Sequence, residues 1–207
     1  MRSTLSGFAS GIALCALLAG CVTNRTDRTA LDWPAQQVLL AALPGYGLNG
    51  RVAVRVGQEG WQANATWRQR AEVSEVELSG PFGAGSMLLR LSGAELQVVD
   101  SQGAILRGDE ARSLLGAKLG FEPPLAALRF WLLALPAPDG GEAMPVYAAD
   151  GTLTQLEQQG WQLRYEDYRA EAAPGGSVRL PAKLTATRDE VRLRLVIDRW
   201  QLGAGQE

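Results

Sequence analysis

Residues 51–68 read RVAVRVGQEGWQANATWR, and the period of that stretch decides the fold. Val52, Val54 and Val56 alternate with Ala53 and Arg55. Beyond Gly57 to Gly60, Trp61, Ala63, Ala65 and Trp67 alternate with Gln62, Asn64, Thr66 and Arg68. A period of two sends successive side chains to opposite faces, so the stretch is two strands, each with one dry and one wet face. The hairpin-length connection makes the pair antiparallel.

The same pattern spreads in both directions. A third strand runs from Ser74 to Ser79, with Val76 and Leu78 opposite Glu75 and Glu77, and Gly80-Pro81-Phe82-Gly83 turns the chain into Met87 to Leu91. Gly93 marks a reversal, Leu96 to Val99 continues, and Gly103 closes the meander. Farther on, Met144 to Ala148, Thr152 to Gln158 and Trp161 to Tyr168 read as strands split by Asp150-Gly151 and Gln159-Gly160. Arg169 to Ser177 shows no period and reads as a loop, before two last strands at Ala182 to Thr187 and Val191 to Trp200. About ten strands in one meander twist and tend to close, because a large flat sheet leaves its edges exposed. The expected architecture is mainly β, a barrel or half-barrel.

Three helices interrupt it. Trp33-Pro34 opens the first, with Val38, Leu39, Ala42 and Leu43 at helical spacing and Pro44-Gly45 as its stop. Asp109 reads as the N-cap of a second, which carries Ala111, Leu114, Leu115, Lys118 and Leu119 and ends at Gly120. Pro123-Pro124 starts a third, whose face is Leu125, Leu128, Leu132 and Leu135, thickened by Trp131, up to Pro136. Apolar helices need something to cover, and the open mouth of a curled sheet is the natural candidate.

The N-terminus carries a secretory leader. Arg2 supplies the positive start, and the apolar run from Gly11 to Ala19 is too short to span a bilayer. It ends in Leu18-Ala19-Gly20-Cys21, the lipobox order in which small residues admit a peptidase before a lipid-modified cysteine. Residues 1–20 are therefore read as a removed leader and 21–32 as lipidated Cys21 with a flexible tether. A single domain over 33–202 follows. Two or more acyl chains give durable anchoring. Val22 follows the cysteine, and in bacteria whose sorting retains lipoproteins bearing Asp there, it permits export to the outer membrane.

Cleavage removes 20 residues, leaves 187 of the 207, and takes only one charge, so 19 basic residues face 22 acidic ones, a net charge of −3. That balance points to no nucleic-acid partner. Cys15 leaves with the leader and the Cys21 sulfur carries lipid, so the domain has no disulfide and no thiol chemistry. With no histidine anywhere, imidazole-based triads and His-ligated zinc are excluded. Gly83-Ala84-Gly85 opens no helix and cradles no phosphate. Glu75 and Glu77 belong to a wet strand face, and Ser79, Ser86 and Ser92 lack an activating lysine motif. Neither metal nor cofactor is expected, and the reading is of a non-enzyme.

What remains is apolar. Trp61, Trp67 and Trp161 sit at inward strand positions, as core or as walls of a cavity, since a curled sheet of this size either fills its interior or holds one small ligand. Phe82, at a hairpin tip between Pro81 and Gly83, either folds back onto the sheet or projects outward, where a lipid-tethered protein would use it as a wedge.

Several stretches together resemble the LolB family of outer-membrane lipoprotein receptors. They are Leu48 to Val54, Ala65-Thr66-Trp67, Leu78 to Gly83, Leu114 to Gly120, Trp131 to Pro136, Gln159 to Tyr168 and Leu193 to Trp200, in order along nearly the whole mature chain. The resemblance implies an unclosed antiparallel β-barrel with an α-helical lid over an apolar cavity, a fold shared with the periplasmic carrier LolA. It implies a monomer on the periplasmic face of the outer membrane that accepts acylated lipoproteins from such a carrier and inserts them into the inner leaflet. Phe82, flanked by Pro81 and Gly83, matches the projecting apolar residue used in membrane delivery, for which family members more often carry leucine. The implied acyl-chain cavity draws on Val52, Val54, Trp61, Trp67, Leu78 and Trp161 from the sheet, and on Leu128, Trp131 and Leu132 from the lid. Two other readings are left standing, a lipid-anchored scaffold whose barrel is filled and, behind it, a periplasmic enzyme of unfamiliar chemistry.

Overall fold

A computed structural model describes residues 32–80 and 85–203. Cys21, Pro81, Phe82 and Gly83 lie outside those residues. The chain opens with α1 (Trp33–Ala41), followed by β1 (Gly45–Val56), β2 (Glu59–Arg70), β3 (Val73–Ser79), β4 (Ser86–Ser92), β5 (Glu95–Val99) and β6 (Ile105–Arg107). Two helices, α2 (Gly108–Leu119) and α3 (Leu125–Trp131), come next. β7 (Ala143–Tyr147), β8 (Leu153–Gln158), β9 (Trp161–Ala173), β10 (Gly176–Arg188) and β11 (Val191–Leu202) complete the fold.

The eleven strands of the described residues form one sheet in the order β6-β5-β4-β3-β2-β1-β11-β10-β9-β8-β7, antiparallel at every ladder. The β1 and β11 strands pair from Tyr46 opposite Leu202 to Val56 opposite Val191, which brings the two ends of the folded region together. The sheet does not close: its edges are β6 and β7, which are consecutive strands of the chain. The segment between them, residues 108–142, therefore bridges the gap and carries α2 and α3 with it. The barrel is unclosed and helices lie across its mouth because one chain segment has to join two distant edges.

The inward face is the apolar phase of each strand. Val52, Val54, Ala65, Trp67, Val76 and Leu89 are buried, and so are Leu184, Leu195 and Ile197 from the other half. From the helices come Ala111, Leu115, Leu119, Leu125, Leu128 and Trp131, so that sheet and lid share one core. Among the described residues, the elements and the core fall between Trp33 and Leu202.

Five readings of the sequence need correction. In α1 the buried residues are Trp33, Gln36 and Leu40, while Val38 is 72% exposed. The helix is phased by a glutamine, because Gln36 Oε1 accepts the Arg179 backbone N–H of β10 at 2.6 Å. The second helix begins at Gly108 with Arg107 as its N-cap residue, and Asp109 sits in the first turn instead, where its charge faces the positive end of the helix dipole. The third helix ends at Trp131. Leu133 and Ala134 donate to Phe130 and Trp131, three residues back, so Leu132 to Leu135 is a tightened turn. Arg169 to Ser177 is not a loop: β9 and β10 continue as a hairpin as far as Ala173 opposite Gly176. Both faces of that hairpin tip are largely wet, so the backbone ladder persists where side-chain alternation has gone. Finally, the short β6 raises the strand number from about ten to eleven.

Candidate functional site

Registers explain how distant residues converge. Val52 pairs with Ala63 on one side and Leu195 on the other, and Val54 pairs with Trp61 and Leu193. Beyond β2, Trp67 faces Val76 and Ala65 faces Leu78; beyond β11, Leu195 faces Leu184. These rows form one concave apolar wall. Opposite it stand Leu119 at the end of α2, Phe121 and Pro123 in the link, Leu125 and Leu128 of α3, and Leu132.

Between wall and lid lies a cavity of about 80 Å³, and each of its seventeen lining residues is apolar. With no polar group to hold it, water is disfavoured there. The volume corresponds to about half a dozen water-sized spheres.

Seven of the nine residues expected from the sequence lie on this cavity: Val52, Val54, Trp61, Trp67, Leu78, Leu128 and Leu132. Trp131 and Trp161 do not. Trp131 is fully buried and donates its indole N–H to Gln158 Oε1 at 2.8 Å, which turns it toward β8. The ring of Trp161 packs against Phe121 with centroids 6.1 Å apart and lies under the Arg188 guanidinium at 4.7 Å, so it backs a lining ring without lining the cavity itself. Inward phase assigns a residue to the interior but not to one side of it.

Two tryptophans of the wall find polar partners at its margins. Trp67 donates to Gln69 Oε1 at 3.3 Å; that oxygen also accepts from Ser74 Oγ at 2.6 Å, while Gln69 Nε2 donates to the Ala71 carbonyl at 2.7 Å. Trp61 donates to the Leu119 carbonyl at 3.2 Å, tying the sheet wall to the end of α2. Gln69 is not singled out in the sequence, and Leu119 reads there only as part of the second helix. The only signal for Gln69 is a polar residue at an inward position of β2.

Charge stays outside this region. Burial pushes the hydroxyls of Tyr46 and Tyr165 well above the usual tyrosine range, so both remain neutral. Tyr46 donates to the Arg129 carbonyl, which pins α3 to the start of β1. Among the described residues no group of three Asp, Glu, His or Cys side chains is placed to hold a metal ion. No described helix is long and apolar enough to cross a membrane.

This geometry has relatives. The family profile described as "Outer membrane lipoprotein LolB" matches residues 44–200. The outer-membrane lipoprotein LolB of Chromohalobacter salexigens is 34% identical over 197 residues, covering 93% of this chain and 89% of that protein. Its counterpart in Nitrosococcus oceani is 34% identical over 195 residues, covering 90% of this chain and 93% of that one. Among solved structures, an outer membrane lipoprotein-sorting protein domain from Vibrio parahaemolyticus superposes with a TM-score of 0.50 at 8% identity, over 84% of this chain and 92% of that one. That likeness concerns the fold alone. The profile match over most of the chain, with relatives at 34% identity along nearly their full length, means that this chain belongs to the LolB family of outer membrane lipoproteins.

Proposed function

We propose that this LolB-family chain, held on the periplasmic face of the outer membrane by lipid on Cys21, accepts acylated lipoproteins from a periplasmic carrier. It then inserts them into the inner leaflet. The observation that carries the reading is the wholly apolar cavity between the sheet wall and the helical lid. An acyl chain in water loses about 0.8 kcal/mol per methylene, tens of kcal/mol for a lipoprotein's chains together, so transfer requires a continuous apolar route. No energy source is needed if affinity rises from carrier to receptor to bilayer, because differential binding alone moves the population.

In this account the cavity residues Val52, Val54, Trp61, Trp67, Leu78, Leu128 and Leu132 receive the chain. Their present volume is smaller than a full acyl chain requires, so α2 and α3 move outward as it enters. Phe82, by resemblance to the family, is the wedge that meets the bilayer. The filled-barrel scaffold is the second reading, and the small cavity is the observation in its favour.

The test separates uptake from release. A form of the chain starting after Cys21 is expected to take up a fluorescent fatty acid and an acylated lipoprotein. Phe82→Glu is expected to fold and load normally while losing most of its release into liposomes. Release equal to wild type would remove the wedge role, and absence of any uptake would favour the scaffold.

A further inference from the structure

The cavity is bounded on one side by Trp61. That half-buried ring lines the cavity on one side and, on the other, a groove of about 390 Å³ that also runs past Met87, Leu114 and Lys118. Trp61, Leu78 and Leu119 belong to both spaces, so these three side chains are the partition between them.

Among the described residues, one hydrogen bond spans the partition. Leu119 is the last residue of α2, and carbonyls in the last turn of a helix have no partner within it. The Trp61 indole N–H fills that vacancy at 3.2 Å. Directly after it, Gly120 takes a φ of +79°, a conformation that favours glycine, and the chain leaves the helix there. The clasp therefore sits at the point where α2 gives way to the link that follows it.

The two spaces complement each other chemically. The inner one is apolar throughout and too small for a whole acyl chain. The outer one is mixed: Met87 and Leu114 are partly buried, Ser86, Asp100, Ser101 and Gln102 add polar groups, and Lys118 is exposed. A chain lying across both would bury its carbons and keep its polar end in water.

We propose that acyl chains enter and leave between the C-terminal end of α2 and the β2–β3 wall. The groove is the outer half of their binding site, and the Trp61 to Leu119 hydrogen bond is the latch on that portal. The proposal rests on the receptor reading above.

Stopped-flow mixing of dansylaminoundecanoic acid with the chain from residue 22 onward tests it. Trp61→Phe keeps an apolar ring but removes the N–H, and both uptake and release are expected to accelerate about fivefold, the value of one ordinary hydrogen bond. Leu114→Gln lines only the groove, and its dissociation constant is expected to rise about tenfold because apolar contact is lost there. Thermal unfolding of each variant verifies that it folds. Wild-type uptake with unchanged Trp61→Phe kinetics, or unchanged binding by a folded Leu114→Gln, would overturn the portal alone. A wild-type chain that never takes up the probe would overturn the receptor reading and the portal with it.

Discussion

Gln158 holds four hydrogen bonds at the end of β8 while only 2% exposed. Its Oε1 accepts from the Trp131 indole at 2.8 Å and the Ala137 N–H at 2.9 Å, and its Nε2 donates to the carbonyls of Ala137 at 2.9 Å and Gly141 at 3.3 Å. One side chain thus fastens the end of the lid segment to the sheet. Gln158→Leu would fit the apolar surroundings but strand the Trp131 and Ala137 groups, at an expected cost of about 2–4 kcal/mol, read as a lowered urea midpoint. Asp150 gives a second prediction. The Thr152 hydroxyl and then the Thr152 N–H bond its carboxylate, with Arg179 beside it at 2.7 Å, and its pKa falls from 3.8 to about 2. A lowered folded pKa means stability that is full above pH 3.8 and is lost as the pH falls toward 2. The carboxylate is half exposed, so solvent screening limits the effect to about 1 kcal/mol. Asp150→Asn should flatten that part of a Tm-against-pH curve. Residues of this kind were the least legible in the sequence. Gln36, Gln69 and Gln158 each interrupt an apolar phase, and the Gln36 partner is 143 residues away in the chain.

At the scale of elements, the strands around residues 51–68 were fully legible, because each pairs one dry face with one wet face and the period of two shows through. Where that contrast fades, so does the signal. The β9–β10 hairpin tip is wet on both faces, and the three-residue β6 is too short to display a period. The first helix was found but wrongly phased, since its burial follows Gln36 rather than Val38. The β1–β11 seam contains a detail no pattern reveals, a register shift between Asn49 and Gly50. A Cβ on Gly50 would lie 2.3 Å from the Val196 carbonyl oxygen, inside the hydrogen-bonded backbone itself. Gly50→Ala is expected to destabilise by about 1–3 kcal/mol, because backbone rather than a flexible side chain has to move. A Tm equal to wild type would mean that the seam is looser than this geometry allows.

The molecule as a whole is an open sheet whose two edges are joined by the segment that covers them. The sequence indicated the half-barrel and its lid, because strand number and inserted apolar helices are both properties of pattern. It did not indicate which inward residues share a cavity: Trp131 on α3 and Trp161 on β9 are as buried as Trp67, yet hydrogen bonding and ring packing set them apart. Function follows from this arrangement only if the cavity takes up what a bilayer would otherwise hold. The most direct measurement is a reconstituted transfer: an acylated lipoprotein loaded on the periplasmic carrier is mixed with the chain, and then with liposomes. The cargo is predicted to pass from carrier to this chain without nucleotide and on into the liposomes. Cargo that stays on the carrier while the chain remains folded would contradict the account.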